Sequence, residues 1–177
     1  MTALVLGGAA SGKSGWAEDL ICALPRTGPL IYLATMEPWG GEAAERIGRH
    51  RALRAGKGFS CTVERPRDLA GWAPPAGSAV LLEDLGNLAA NELFSGEILD
   101  PEGAYRRIRR GLDVLREGAR HLVVVSGDLF RDGVDYPLET GAYLDLLARL
   151  HRDLAARADR VTELVGGLPV HWKGGEV

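Results

Sequence analysis

Eight consecutive residues, Gly7, Gly8, Ala9, Ala10, Ser11, Gly12, Lys13 and Ser14, fit the spacing G-x-x-x-x-G-K-[S/T]. Glycines at these positions let the backbone curl so that successive N–H groups point at one anion, and a helix opening near Gly12 adds the positive end of its dipole. In such a loop Lys13 reaches the β- and γ-phosphates of a nucleotide, and the Ser14 hydroxyl binds Mg²⁺. A second pair of candidates, Glu83 and Asp84, follows the apolar run Ala79-Val80-Leu81-Leu82. Ligands of open α/β sheets bind at the carboxyl ends of the strands, so a carboxylate here faces the same crevice and can hold the metal shell. Strand alternation is expected to send Glu83 and Asp84 to opposite faces, so Glu83 is the expected metal-side residue and Asp84 the alternative bearer of the same role.

These groups need a strand before the loop, a helix after it, and a sheet that brings residue 83 beside residue 14. Ala3-Leu4-Val5-Leu6 supplies the first strand, and Trp16, Ala17, Leu20 and Ile21 recur at helical spacing until Pro25. Leu30 to Ala34, Ala79 to Leu82 and His121 to Val125 read as continuous apolar strands of a parallel sheet buried on both faces. Ser60 to Val63 predicts a shorter strand ending at Glu64, with a brief helix running to Trp72. Helices are expected over 42–54, 87–94, 101–119 and 140–158, the last packing Leu144, Leu147, Ala148, Leu154 and Ala155 inward. Gly166-Gly167 between two apolar runs predicts a closing antiparallel hairpin. The expected fold is a single α/β domain over 1–177, a phosphate-loop NTPase of the RecA-like type with a mostly parallel sheet flanked by helices.

Composition narrows the function classes. The 177 residues are 46% hydrophobic and 25% charged with a net charge of −3, so no overall basic field argues for nucleic acid. No apolar run is long enough to span a membrane. The expectation is a cytoplasmic protein without a signal peptide. Cys22 and Cys61, the two cysteines, have neither metal-ligand spacing nor a disulfide framework and are expected to be packing residues.

The loop by itself specifies nucleotide binding. It leaves open a kinase or nucleotidyltransferase acting on some alcohol, and also a nucleotide-gated interaction protein, although the guanine-reading motif Asn-Lys-x-Asp is absent. More is carried by the order of the remaining segments. Ala17-Glu18 is followed by Tyr32-Leu33-Ala34-Thr35, Arg46-Ile47-Gly48-Arg49-His50, Thr62-Val63-Glu64, Leu81-Leu82-Glu83 with Asn91, Ala158-Asp159-x-Val161, and Gly167-Leu168-Pro169-Val170 with Lys173. This series resembles the bifunctional adenosylcobinamide kinase and adenosylcobinamide-phosphate guanylyltransferase family of cobalamin biosynthesis over nearly the whole chain.

The resemblance implies two reactions with GTP, ATP or both as substrates and Mg²⁺ as cofactor. One is phosphorylation of the corrinoid aminopropanol hydroxyl; the other is GMP transfer from GTP through a guanylyl-histidine. By residue type alone His50 reads as a solvated helix histidine, whereas the resemblance makes it the nucleophile. It also implies that Ala34, Thr35, Glu64 and Glu83 join the loop in nucleotide binding and that the protein is a homotrimer. Physically, a neutral imidazole is nucleophilic near pH 7, and Arg51 and Arg54 beside it would neutralise phosphate charge during transfer. The chain departs from the family pattern at Ala10, where the family usually has Arg, and at His151, where it usually has Asn. It departs again over 126–137, a segment expected to shape the acceptor pocket. His151, His121 and His171 are expected to be structural.

Overall fold

The computed structural model describes residues 1–37, 56–96, 98–129 and 137–175. The expected helix over 42–54, with His50, Arg51 and Arg54, lies outside them, as does most of the 126–137 loop. Seven strands form one sheet in the order β3-β2-β4-β5-β1-β6-β7. They are β1 (Thr2–Gly7), β2 (Leu30–Ala34), β3 (Cys61–Glu64), β4 (Ala79–Glu83), β5 (His121–Gly127), β6 (Arg160–Val165) and β7 (Leu168–Lys173). All neighbours pair in parallel except β6 with β7, the predicted hairpin. One strand, β5, separates the loop strand β1 from the Glu83 strand β4, which is the RecA-like arrangement expected.

The central strands are apolar without interruption because both faces are covered. Leu4, Val80, Leu82, Leu122 and Val124 pack beneath three helices, α2 (Leu85–Leu93), α3 (Pro101–Gly118) and α4 (Leu138–Arg157). On the other face Ala3, Val5, Leu81, Val123 and Val125 meet Ala17 and Ile21 of α1 (Lys13–Ala23). The helix after β4 begins earlier than its periodicity suggests. Asp84 caps it by accepting the Asn87 N–H at 2.6 Å, leaving no loop between Glu83 and the helix.

Two expectations are corrected. The buried stripe of α4 is Leu146, Leu147, Leu150 and Leu154, whereas Leu144 and Ala148 are only half-buried. The helix packs against α2 and α3 as well as the sheet, and the 3.6-residue pattern admits either neighbouring stripe until those partners are known. Cys61 is exposed on the edge strand β3, so only Cys22, half-buried with its thiol directed to the Lys57 carbonyl, fits a packing role.

Candidate nucleotide site

The loop between β1 and α1 has the conformation its glycines announce. Ala10 and Gly12 are left-handed, with φ of 54° and 87°. Gly7 has a different reason to be glycine. A Cβ there would lie 2.9 Å from the Leu164 carbonyl of the paired strand β6 and closer still to the Ser11 side chain. Gly12 provides no side-chain cap for α1, so the first N–H groups of the helix are available to an anion. Gly8, Ala9 and Ala10 are exposed at the rim, and Lys13 folds back so that its Nζ donates to the Gly8 carbonyl at 3.2 Å.

Beneath the loop, the Ser14 hydroxyl donates to Glu83 Oε1 at 2.5 Å, bringing together the two residues read from sequence as metal ligands. The second oxygen, Glu83 Oε2, is buried and has no partner among the described residues. Burial raises the Glu83 carboxyl from its ordinary range to about 7; the Ser14 hydrogen bond opposes this shift, while the charges of Asp84 and Glu18 add to it. An orphaned carboxylate oxygen beside a hydroxyl is the donor set of a hard cation that keeps most of its own water. Among the described residues no three His, Cys, Asp or Glu side chains gather as a metal cage.

Asp84, the alternative bearer of the acidic role, is occupied as the cap of α2, and its peptide bond with Glu83 is cis. The ends of β2 and β3 place the remaining described candidates. Ala34 is register partner to both Glu64 and Glu83. Thr35 is fully buried, its N–H bonded to the Glu83 carbonyl at 3.0 Å and its hydroxyl to the Asp84 carbonyl at 2.7 Å. Glu64 is exposed on the edge strand. Thus Gly7 through Ser14, Ala34, Thr35, Glu64 and Glu83 share the carboxyl end of one sheet. His50, Arg51 and Arg54 are outside the described residues.

Sequence reasoning gave no role to two further polar residues. Asn91 of α2 donates its side-chain amide to both the Thr35 and Pro66 carbonyls, at 2.8 and 3.0 Å. Glu18, buried on α1, pairs with Lys57 at 2.8 Å. A polar residue on an otherwise apolar helix face was the available signal for both. Each of the other histidines has a hydrogen-bond contact: His121 with the Pro25 carbonyl, His171 with the Thr162 hydroxyl, and His151 with the Ser126 hydroxyl at 2.8 Å.

Residues 3–172 match the family model described as cobinamide kinase / cobinamide phosphate guanyltransferase. Among characterised proteins the chain is similar to the bifunctional adenosylcobalamin biosynthesis protein CobP of Pseudomonas aeruginosa, 33% identical over 98% of each chain. It is also similar to the bifunctional adenosylcobalamin biosynthesis proteins CobU of Salmonella typhimurium and Escherichia coli, 31% and 30% identical over 98% of this chain and all of theirs.

Proposed function

Because the chain belongs to the cobinamide kinase / cobinamide phosphate guanyltransferase family, we propose that it phosphorylates the aminopropanol hydroxyl of adenosylcobinamide and then joins GMP from GTP to that phosphate. The single observation that carries a phosphate-transfer site is the Ser14–Glu83 pair, its Oε2 unpartnered among the described residues, directly beneath a helix N-terminus that has no side-chain cap among them. The N–H groups of residues 7–14 hold the phosphates, and Lys13, released from Gly8, spans the β- and γ-phosphates. Ser14 and Glu83 would hold Mg²⁺, which supplies charge neutralisation on the phosphate oxygens.

In the guanylyl step a neutral His50 nitrogen forms a bond to the α-phosphorus as the bond to the β-phosphate oxygen breaks, and pyrophosphate leaves. The corrinoid phosphate oxygen then attacks the same phosphorus, and the N–P bond breaks to restore the imidazole. Ala34, Thr35 and Glu64 bind the GTP in this step, while Arg51 and Arg54 balance the charge that accumulates on the oxygens. The same family reading makes the protein a cytoplasmic homotrimer acting on small molecules, a state that sedimentation would check.

Intact mass after incubation with GTP and Mg²⁺ tests the reaction class. A GMP-sized addition, stable to alkali and labile to acid, is expected on the wild type and absent from His50→Ala. That variant should retain phosphorylation of adenosylcobinamide, which needs no covalent step. A persisting adduct moves the nucleophile elsewhere, and its absence in the wild type removes the guanylyl reading.

A further inference from the structure

The hairpin after β6 has no part in the site as drawn, yet it touches the phosphate loop. β6 pairs in parallel with β1, so its last residues reach the same end of the sheet, with Leu164 opposite Gly7. The turn Gly166–Gly167 then passes beside the loop: a Cβ placed on Gly12 would lie 3.9 Å from the Gly167 Cα. Beyond it, Trp16 of α1 and His171 of β7 approach with ring centroids 6.1 Å apart. The turn carries two exposed aliphatic side chains, Val165 and Leu168, at 49% and 72% exposure. Among the described residues, a Cβ on Gly15, Gly166 or Gly167 would meet nothing within 4 Å.

The metal-side pair fixes which way a nucleotide must run. Ser14 bonds Glu83 on β4, two strands from β1 on the side opposite the hairpin. In phosphorylation the γ-phosphorus is attacked, so the γ-phosphate lies on the Glu83 side and the nucleoside leaves the loop on the other. In guanylyl transfer the α-phosphorus is attacked instead. Both transfers occur at the end of one acceptor arm, because the first reaction's product is the second's substrate. One crevice can serve both only if the triphosphate presents opposite ends to it. Ala34 and Glu64 lie three and four strands from β1, roughly 14–19 Å at the usual strand spacing, on the Glu83 side. The hairpin is the surface in contact with the loop on the opposite side.

From this geometry, and resting on the two-reaction reading above, we infer that the β6–β7 turn, with Leu168 and Val165 beside Gly12, seats the nucleoside of the phosphoryl donor, in the opposite direction to the GTP that guanylylates the enzyme. The contact it offers is aliphatic surface for the flat face of a base, with the exposed backbone of Gly166 and Gly167 at its edge.

Leu168→Ser tests this without threatening the core, since the side chain is mostly exposed. Binding is measured with Mg²⁺ and two probes: adenosine 5′-(β,γ-imido)triphosphate, which cannot guanylylate the protein, and inorganic tripolyphosphate, which has no nucleoside. The substitution should weaken the nucleotide about fivefold to tenfold, the scale of one lost aliphatic contact, and leave tripolyphosphate unchanged. It should also raise the donor KM for phosphorylation while leaving the rate of GMP adduct formation from GTP intact. Equal weakening of both probes would mean a distorted loop, and no weakening of either would mean the nucleoside lies elsewhere; each result overturns the assignment. The binding measurement needs no corrinoid, so failure to phosphorylate adenosylcobinamide would count against the two-reaction reading and leave the binding comparison to stand separately.

Discussion

Two serine hydroxyls at the carboxyl end of the sheet each meet a half-buried titratable side chain, on opposite faces. Ser14 meets Glu83 beneath the phosphate loop, and Ser126 meets His151 of α4 beneath the helical layer. Burial is the leading cause of the shift in both, and it acts in opposite directions because it disfavours charge: the carboxyl rises to about 7 and the imidazole falls to about 4. The difference between them is completeness. Glu83 keeps one buried oxygen without a partner among the described residues, whereas His151 has further interactions besides its bond to Ser126. An unfinished polar pair marks a place where a ligand completes the structure; a finished one marks packing.

The largest expected effect follows from the unfinished pair. Glu83→Gln and Lys13→Ala should each lower both transfer activities by about a hundredfold or more with an unchanged circular dichroism spectrum. His151→Asn should stay within about threefold of wild type in the same assays, since exposed or structural positions away from the reacting groups change little. A His151→Asn enzyme as crippled as Glu83→Gln would break the comparison. Ser14→Ala should chiefly damage metal-dependent activity, read as a higher Mg²⁺ requirement.

Stability against pH sharpens the contrast. Without metal, folded Glu83 holds its proton up to about pH 7, whereas the unfolded chain releases it near 4.5. The folded form therefore binds more protons in that window, and stability falls as pH rises from 4.5 to 7, by at most about 3 kcal/mol. Glu83→Gln should flatten this limb in denaturant titrations, and Mg²⁺ should restore stability above pH 7. His151 works the other way. Its unfolded form gains a proton near 6.5 and its folded form near 4, so its contribution is lost as pH falls between those values, and His151→Asn should lessen that loss. The smallest effect belongs to Asp84→Ala, which removes the cap of α2 and should cost about 1 kcal/mol while leaving Mg²⁺ dependence unchanged.

What could be read from the chain and what could not divides along a physical line. The loop, the apolar strands and the Gly166-Gly167 turn were legible because each follows from local backbone requirements: positive φ, burial on both faces, a two-residue reversal. The partnership of Ser14 with Glu83 was legible because strand ends in such sheets converge. The stripe of α4 was not, since Leu146 and Leu150 are chosen over Leu144 by helices that sequence periodicity does not identify. Nor was the nearness of Gly167 to Gly12, which arises only once β6 is known to lie against β1.

The Asn91 amide has a mechanical consequence. Its two hydrogen bonds rivet the outgoing ends of β2 and β3 to the helix whose first turn is fastened at Asp84, the residue after Glu83. Thr35 is bolted to the same corner through its own hydroxyl. The ends of β2 and β3 and the start of α2 are therefore held at one corner, which fixes the spacing of Ala34, Glu64 and Glu83 at the carboxyl end of the sheet. Asn91→Leu would cut that linkage without touching a phosphate-facing group, so the corner should loosen while the phosphate loop keeps its shape.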